Sequence, residues 1–535
     1  MGETAQATRF RRRELPAGLA WIGARWFPLG VAAIAAAAAA FLFHQLLAWP
    51  PHEDEALPLF IGRHPLDQVF QVVLEERGGA PLHFLLAWLV AHLGLGLEGL
   101  RALSALFAVA SLPVVALLLA RLGGRATALV GTAVVATSWT FLFHGVYGRM
   151  YSLFLLTSAL SYLALLAALD RGGRRAWAVW TLAILATVAT HPYGALVLAA
   201  QAAFVVLARR ERLREAVWAF GAVGVLGIPF WLTDLVLAGR FDAGVAGGGR
   251  LDVAHYVWQA ATDFTAAFPV LPAVLVAAAA GAAALPRESR LLAACAAFVP
   301  LAALVVARSS GSPETRHLIF LLPFVALAVA AGLVRLGRVW AAAAVAALIV
   351  AQVASSWDRT PELFDWEPDV RQEARADAAA HLAATTGPSD VLLGYDPLFL
   401  QAWEHAPDFP LVVLPRADAD LALHNLLGLE RPLGHGVWVL DASKTTNAVR
   451  SLEIRRVAPR PASAFEVRAF GPFLVIRTRR PVVTPKRYLE RAGQAMLVGK
   501  RLYLGDADIN LPTIERAARA LRGYGAARSL STSSR

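Results

Sequence analysis

Five short clusters in this chain carry residue types that can do chemistry. His52-Glu53-Asp54-Glu55 sets two adjacent carboxylates, Asp54 and Glu55, behind a histidine. Arg149-Met150-Tyr151, His191-Pro192-Tyr193-Gly194 and Glu314-Thr315-Arg316-His317 follow, and His83 closes the segment Gly78-Gly79-Ala80-Pro81-Leu82-His83. A carboxylate within hydrogen-bond reach can take the proton of an attacking hydroxyl. A guanidinium is planar and permanently charged, and matches two phosphate oxygens at once. Proton removal and neutralisation of an anionic oxygen are therefore what this set supports. Each group also has a plainer reading. Adjacent acids can be solvated loop charge, histidine and tyrosine can anchor an interface, and arginines can snorkel to headgroups. A metal centre from His52, Asp54 and His191 is conceivable, but spacing in sequence gives it no support.

Long apolar runs separate these clusters. Of 535 residues, 57% are hydrophobic and 17% charged, against about 45–50% apolar in average usage. The single cysteine, Cys295, excludes a disulfide framework or a multi-cysteine zinc site. A net charge of +11 can signal nucleic acid, but in so apolar a chain basic residues orient membrane helices, and no nucleic-acid partner is expected. The phosphate-cradling pattern GxxxxGK[ST] is absent, so no nucleotide is expected. The cofactor is left unknown, with a divalent cation open.

A membrane-crossing helix needs about 20 mostly apolar residues. Such runs occur near 28–49, 101–120, 126–143, 150–169, 176–190, 193–208, 215–237, 266–285, 291–307, 317–334 and 339–356. A polytopic α-helical membrane fold of about eleven spans is predicted. The shorter stretch 81–97 is read as a helix on or dipping into the outer surface, because letting it span would invert every later loop. With Arg9, Arg11, Arg12 and Arg13 inside, the clusters Arg121/Arg125, Arg171/Arg174/Arg175, Arg209/Arg210/Arg212/Arg214, Arg287/Arg290 and Arg335/Arg338 all fall inside. Those inner loops read as arginine without carboxylate partners. All five chemical clusters then face away from the cytoplasm, and Tyr147 and Trp139 are read as members of an interfacial aromatic belt.

Four segments follow: a basic cytoplasmic stretch 1–27, a transmembrane module 28–357 with first outer loop 50–100, an extracytoplasmic α/β domain 358–525, and a disordered tail 526–535. In the third, 368–387 and 417–427 read as helices, and 391–394, 411–414, 437–440 and 473–476 as buried strands. Its last part is basic, through Lys486, Arg487, Arg491, Lys500, Arg501, Arg516, Arg519 and Arg522, as a solvated surface or a contact with anionic headgroups. No internal repeat is seen.

The order of motifs resembles one family. An acidic pair follows the first span, a Pro-Leu segment follows a polar loop, and Arg149-x-Tyr151 opens an outer helix. His191-x-Tyr193-Gly194 and Arg316-His317-Leu318, with Pro323 five residues on, come next. Together they resemble glycosyltransferases of the C superfamily, in particular protein O-mannosyltransferases and bacterial lipid A aminoarabinose transferases, over roughly residues 26–354. The resemblance implies an inverting transfer of a sugar from a polyprenyl-phosphate donor to an extracytoplasmic glycan, lipid or protein acceptor, in a multi-pass cell-membrane enzyme. It makes Asp54 the general base and Glu55 the second catalytic acid. The family's Pro-Pro is Ala80-Pro81 here, and Gly78 and Gly79 stand where some members carry a lysine. Arg149 and Arg316 are the candidates for the leaving phosphate; Tyr151, His191, Tyr193, His317 and His83 are candidates for substrate contact. The sugar is open between mannose, arabinose and related pentoses. The rival class is a transporter or flippase of lipid-linked sugars. Charges collected at one face and inner loops without acids argue against it.

Overall fold

A computed structural model of the chain describes residues 17–77, 79–238, 250–266, 269–307, 314–365, 367–393, 397–406, 413–414, 426, 432–441, 464–501, 514–515, 518–519 and 521. The helical part runs α1 (Ala17–His44), α2 (Glu53–Gly62), α3 (Leu66–Gln71), α4 (Pro81–His92), α5 (Gly96–Thr137), α6 (Trp139–Val146), α7 (Tyr151–Arg171), α8 (Gly173–Thr190) and α9 (Gly194–Ala208). It continues with α10 (Leu213–Leu226), α11 (Ile228–Ala238), α12 (Arg250–Phe264), α13 (Leu271–Ala284), α14 (Arg287–Ala307), a 3-10 turn Thr315–Leu321, α15 (Leu322–Val334) and α16 (Arg338–Arg359). Among the described residues six helical segments are each long and apolar enough to cross a membrane.

The differences from the expected spans have local causes. α5 covers the run 101–120 and the first part of 126–143, whose last residues fall in α6, and is broken at Gly124, whose φ of +84° a side chain resists. The run 215–237 is not one straight span: α10 and α11 meet at 63° across Gly227. A Cβ there would stand 2.6 Å from the Val223 carbonyl oxygen and from Trp231 Nε1. α9 and α13, at 15 and 14 residues, are shorter than a full span. Helix α4 has 12 residues, about 18 Å of rise, which is shorter than the stretch 81–97 read from the sequence. It is preceded by its N-cap Ala80, which sits in the left-handed region at φ 49°, a conformation costing a non-glycine residue about 1–2 kcal/mol. Helix α12 was not foreseen: it is amphipathic, so a search for long apolar runs passes over it. Gly94, Gly96 and Gly99 do have GxGxxG spacing. They lie at the helix–helix turn from α4 into α5, not after a strand, so they are no dinucleotide fingerprint.

After α16 come α17 (Asp369–Thr385), β1 (Val391–Leu393), α18 (Pro397–His405), β2 (Val413–Leu414), β3 (Gly436–Asp441), β4 (Phe465–Phe470), β5 (Phe473–Thr478) and α19 (Pro485–Arg501). The sheet order is β2-β1-β3-β5-β4, parallel from β2 to β3 and antiparallel beyond. β3 is buried on both faces, which is why 437–440 reads as an uninterrupted apolar run. β4 was missed because it is an edge strand whose charged residues, Glu466 and Arg468, interrupt the apolar pattern. The predicted helix 417–427 lies, except for residue 426, outside the described residues. So do Arg9 to Arg13 and the tail.

Two contacts fix the site's frame. Leu59 and Phe60 of α2 share one core with Phe399 of α18 and Val439 of β3. Trp403 of α18 stacks on Phe60 at 5.8 Å, with the Arg63 guanidinium 3.4 Å from its ring centre. The sheet layer thus braces the helix that carries the acidic pair.

Candidate active site

Helix α2 presents the acids. His52 caps it, its Nδ1 accepting the Asp54 amide at 3.1 Å, while the Glu55 carboxylate accepts the His52 amide at 3.1 Å. This reciprocal cap satisfies two amides a helix start leaves unpaired. Three acids in the first turn suit its positive dipole end.

The adjacent acids have opposite environments. Glu55, expected as a second catalytic acid, is fully buried and engaged. It accepts Arg101 Nε at 2.8 Å, Arg101 Nη2 at 2.6 Å and the Gly148 amide at 2.7 Å. Arg101 also donates to the carbonyls of Leu46, Trp49 and Pro50. The pair therefore ties the α1–α2 connection to α5 and to residue 148, and Glu55 has no oxygen free for substrate. Asp54 keeps 32% of its side chain exposed. Its Oδ2 accepts Tyr147 OH at 3.0 Å and Arg316 Nη2 at 3.3 Å, and Arg149 Nη1 donates to its backbone oxygen at 2.7 Å. Burial by itself raises the Asp54 carboxyl. The charges of Arg149, Arg316 and His52 and the Tyr147 hydrogen bond outweigh it and hold the group well below the usual carboxylate range.

Arg316 is shared between Asp54 and Glu314, whose Oε1 lies 3.0 Å from Nη2, and its guanidinium sits 5.3 Å from the Tyr151 ring centre. Arg149 and His83 line a separate small open pocket of about 40 Å³ with Gly79, Ala80 and Pro192. Arg149 Nε and His83 Nε2 are buried there without a hydrogen-bond partner. Burial and then Arg149 push His83 down to about 3, so it is neutral. His191 and His317 meet at 2.9 Å, flanked by Tyr151 and by Tyr193, 5.4 Å from the His317 ring. All nine residues singled out from the sequence thus gather at one end of the helices.

Two expectations are corrected. Tyr147 is not an interfacial anchor: it is 2% exposed and donates to Asp54, and burial and then the Asp54 charge hold its phenol well above the ordinary range, so it stays protonated. The arginine loops at the far end do have acids. Arg121 pairs with Asp170, Arg209 with Glu288 at 2.5 Å and Arg212 with Glu215 at 3.0 Å. His191, offered for a metal centre with His52 and Asp54, pairs with His317 instead. Among the described residues no three His, Cys, Asp or Glu side chains gather to hold a metal. Sequence reading missed Arg101; the available signal was a charge opening an apolar run, where an ionisable residue demands a partner.

Beside the site, α12 to α15 line an open apolar groove of about 450 Å³. Tyr256, Arg290 and Leu318, the neighbour of His317 in sequence, are among its lining residues.

This arrangement of membrane helices with a small mixed sheet behind them is a fold shared with solved ArnT structures. The chain is similar to ArnT from Cupriavidus metallidurans in the apo state, with a TM-score of 0.58 and 13% identity, over 86% of this chain and 98% of that one. It is similarly related to ArnT of the same organism bound to undecaprenyl phosphate, with a TM-score of 0.57 and 13% identity, over 84% and 97%. No family model and no curated protein matches the sequence.

Proposed function

We propose that this chain is a membrane glycosyltransferase that moves a sugar from a polyprenyl-phosphate donor to an acceptor hydroxyl, with inversion and with Asp54 as general base. The observation that carries the reading is the meeting of Asp54, Arg316, Arg149 and Tyr147 at one spot beside an apolar groove. A carboxylate that is about one-third exposed can take the hydroxyl proton. A phosphate diester leaves as an anion and needs cations rather than an acid, and two guanidinia stand within reach. Donors aimed at developing charge contribute about 3–4 kcal/mol each in comparable sites. The groove suits an isoprenoid chain, and one similar structure, that of ArnT, holds undecaprenyl phosphate.

Arg149 and, after it, Arg316 hold Asp54 ionised but weakly basic. A donor phosphate that takes over Arg316 removes that charge from Asp54, and its affinity for a proton rises as the donor arrives. The site faces outward, with the sheet layer on the same side. The decisive experiment gives purified protein a polyprenyl-phosphate sugar and an acceptor. Release of polyprenyl phosphate with glycosylated acceptor supports the enzyme; movement of intact donor across a vesicle without release supports a flippase.

A further inference from the structure

We propose that His191 and His317 form a tautomer-locked pair that presents the Nε2–H of His317, as a fixed neutral donor, to an anionic oxygen of the lipid-phosphate donor. The second half of that statement rests on the glycosyl-transfer reading above; the first half does not.

The lock follows from one backbone amide. His191 sits in the turn between α8 and α9, 2% exposed, and its Nδ1 accepts the Tyr193 amide at 3.0 Å. An amide can only donate, so Nδ1 must hold a lone pair, and a neutral ring then carries its proton on Nε2. That Nε2 lies 2.9 Å from His317 Nδ1, so His191 donates and His317 Nδ1 accepts. His317 must therefore carry its proton on Nε2. Charging either ring breaks the chain. A His191 cation would aim an N–H at the Tyr193 amide, and a His317 cation would aim one at the proton already on His191. The pair is neutral and has one tautomer while the Tyr193 amide stays in place.

The rings are also held. His191 stacks on Phe154 at 4.7 Å and 19°, and His317 meets Tyr151 at 5.7 Å. Arg316 approaches the same Tyr151 ring to 5.3 Å, so arginine and imidazole frame one surface. His317 is half-buried, and no described residue accepts from its Nε2. Between two arginines a third cation is repelled, whereas a neutral N–H adds a hydrogen bond without charge. His317 then touches substrate, and His191 is a positioning residue acting through it.

The test uses the full chain, labelled with ¹⁵N-histidine, in detergent micelles or lipid nanodiscs. The expected spectrum shows His317 protonated on Nε2 alone, unchanged between about pH 5 and 8. In His191→Asn the amide oxygen stands where Nδ1 stood and keeps the Tyr193 contact, but nothing reaches His317. Its tautomer should become mixed, with kcat down about tenfold, the worth of one hydrogen bond, and KM little changed. In His191→Gln the side-chain amide reaches the Nε2 position, so tautomer and rate should return towards parental. His317→Phe should cost about 10²-fold in kcat. Polyprenyl phosphate added to the parental protein should shift the His317 Nε2 signal. His317 protonated on Nδ1, or an unaltered spectrum and rate in His191→Asn, overturns the lock. An intact lock with an unmoved Nε2 signal overturns the phosphate contact. A parental protein with the expected spectrum but no sugar transfer leaves the pair standing and defeats the enzyme reading instead.

Discussion

Asp54 and Glu55 are neighbours in sequence and opposites in chemistry, and the difference lies in what each side chain touches. Glu55 is sealed against Arg101, so removing either partner leaves a buried unpaired charge, which costs about 3–5 kcal/mol. Arg101→Met should lower the melting temperature of the purified protein sharply, and adding Glu55→Gln should recover part of the loss. Asp54→Asn keeps the shape but not the proton acceptor. Sugar transfer should fall at least about 10²-fold with the melting temperature nearly unchanged; near-parental turnover would move the base elsewhere. The depressed Asp54 group also fixes a sign for pH. Its charged form is favoured in the fold, so its contribution is present above the ordinary carboxylate range near 4 and is lost only as pH falls towards its own lower value. Burial keeps His83 and His191 neutral over the same window. A profile of kcat/KM, which reports the free enzyme, should therefore be flat between about pH 5 and 7. Arg316→Lys separates recognition from snorkelling: lysine retains charge and reach but not the planar fork. Loss of about tenfold or more in transfer at normal expression is expected, and a parental rate would end the proposed role.

At the scale of elements, small residues decide how closely helices approach. A Cβ on Gly281 of α13 would lie 1.9 Å from the Ala328 carbonyl oxygen, and one on Gly332 of α15 would lie 2.0 Å from that of Ala277. The two backbones are thus in contact, as membrane helices with small residues at their crossing often are. Gly281→Ala must push α13 from α15 and open the groove they line. Overpacking of this kind costs about 1–3 kcal/mol, readable as a lower melting temperature. Gly224→Ala in α10, where nothing stands within 4 Å, is the matched control and should be neutral or better. Hydropathy located these helices because burial in lipid needs only an apolar run. It missed the bend at Gly227, the short span of α13 and the amphipathic α12, which depend on backbone contacts and on partners far along the chain.

At the scale of the molecule, the polar groups divide between two ends. Helix α7 opens at Tyr151 beside Asp54 and closes at Arg171, next to the Asp170 that pairs with Arg121. Its 21 residues rise about 31 Å, close to the hydrocarbon thickness. If the arginine-rich end is cytoplasmic, a reporter active only in the cytoplasm should be silent when fused after the sheet layer and active when fused into the 209–214 loop; the reverse pattern would invert the topology. The sequence by itself determined that the chain is rich in long apolar helices and put nine residues forward for testing, because lipid demands long apolar runs and motif order survives in one dimension. Tertiary structure decided which of those residues can act. It paired Glu55 with Arg101 and set Asp54 between two arginines. It also drew Tyr147 inward and made one backbone amide dictate two histidine protons. Such outcomes depend on distances between residues about 50 to 260 positions apart, and hydrogen bonds and desolvation act through space, not along the chain.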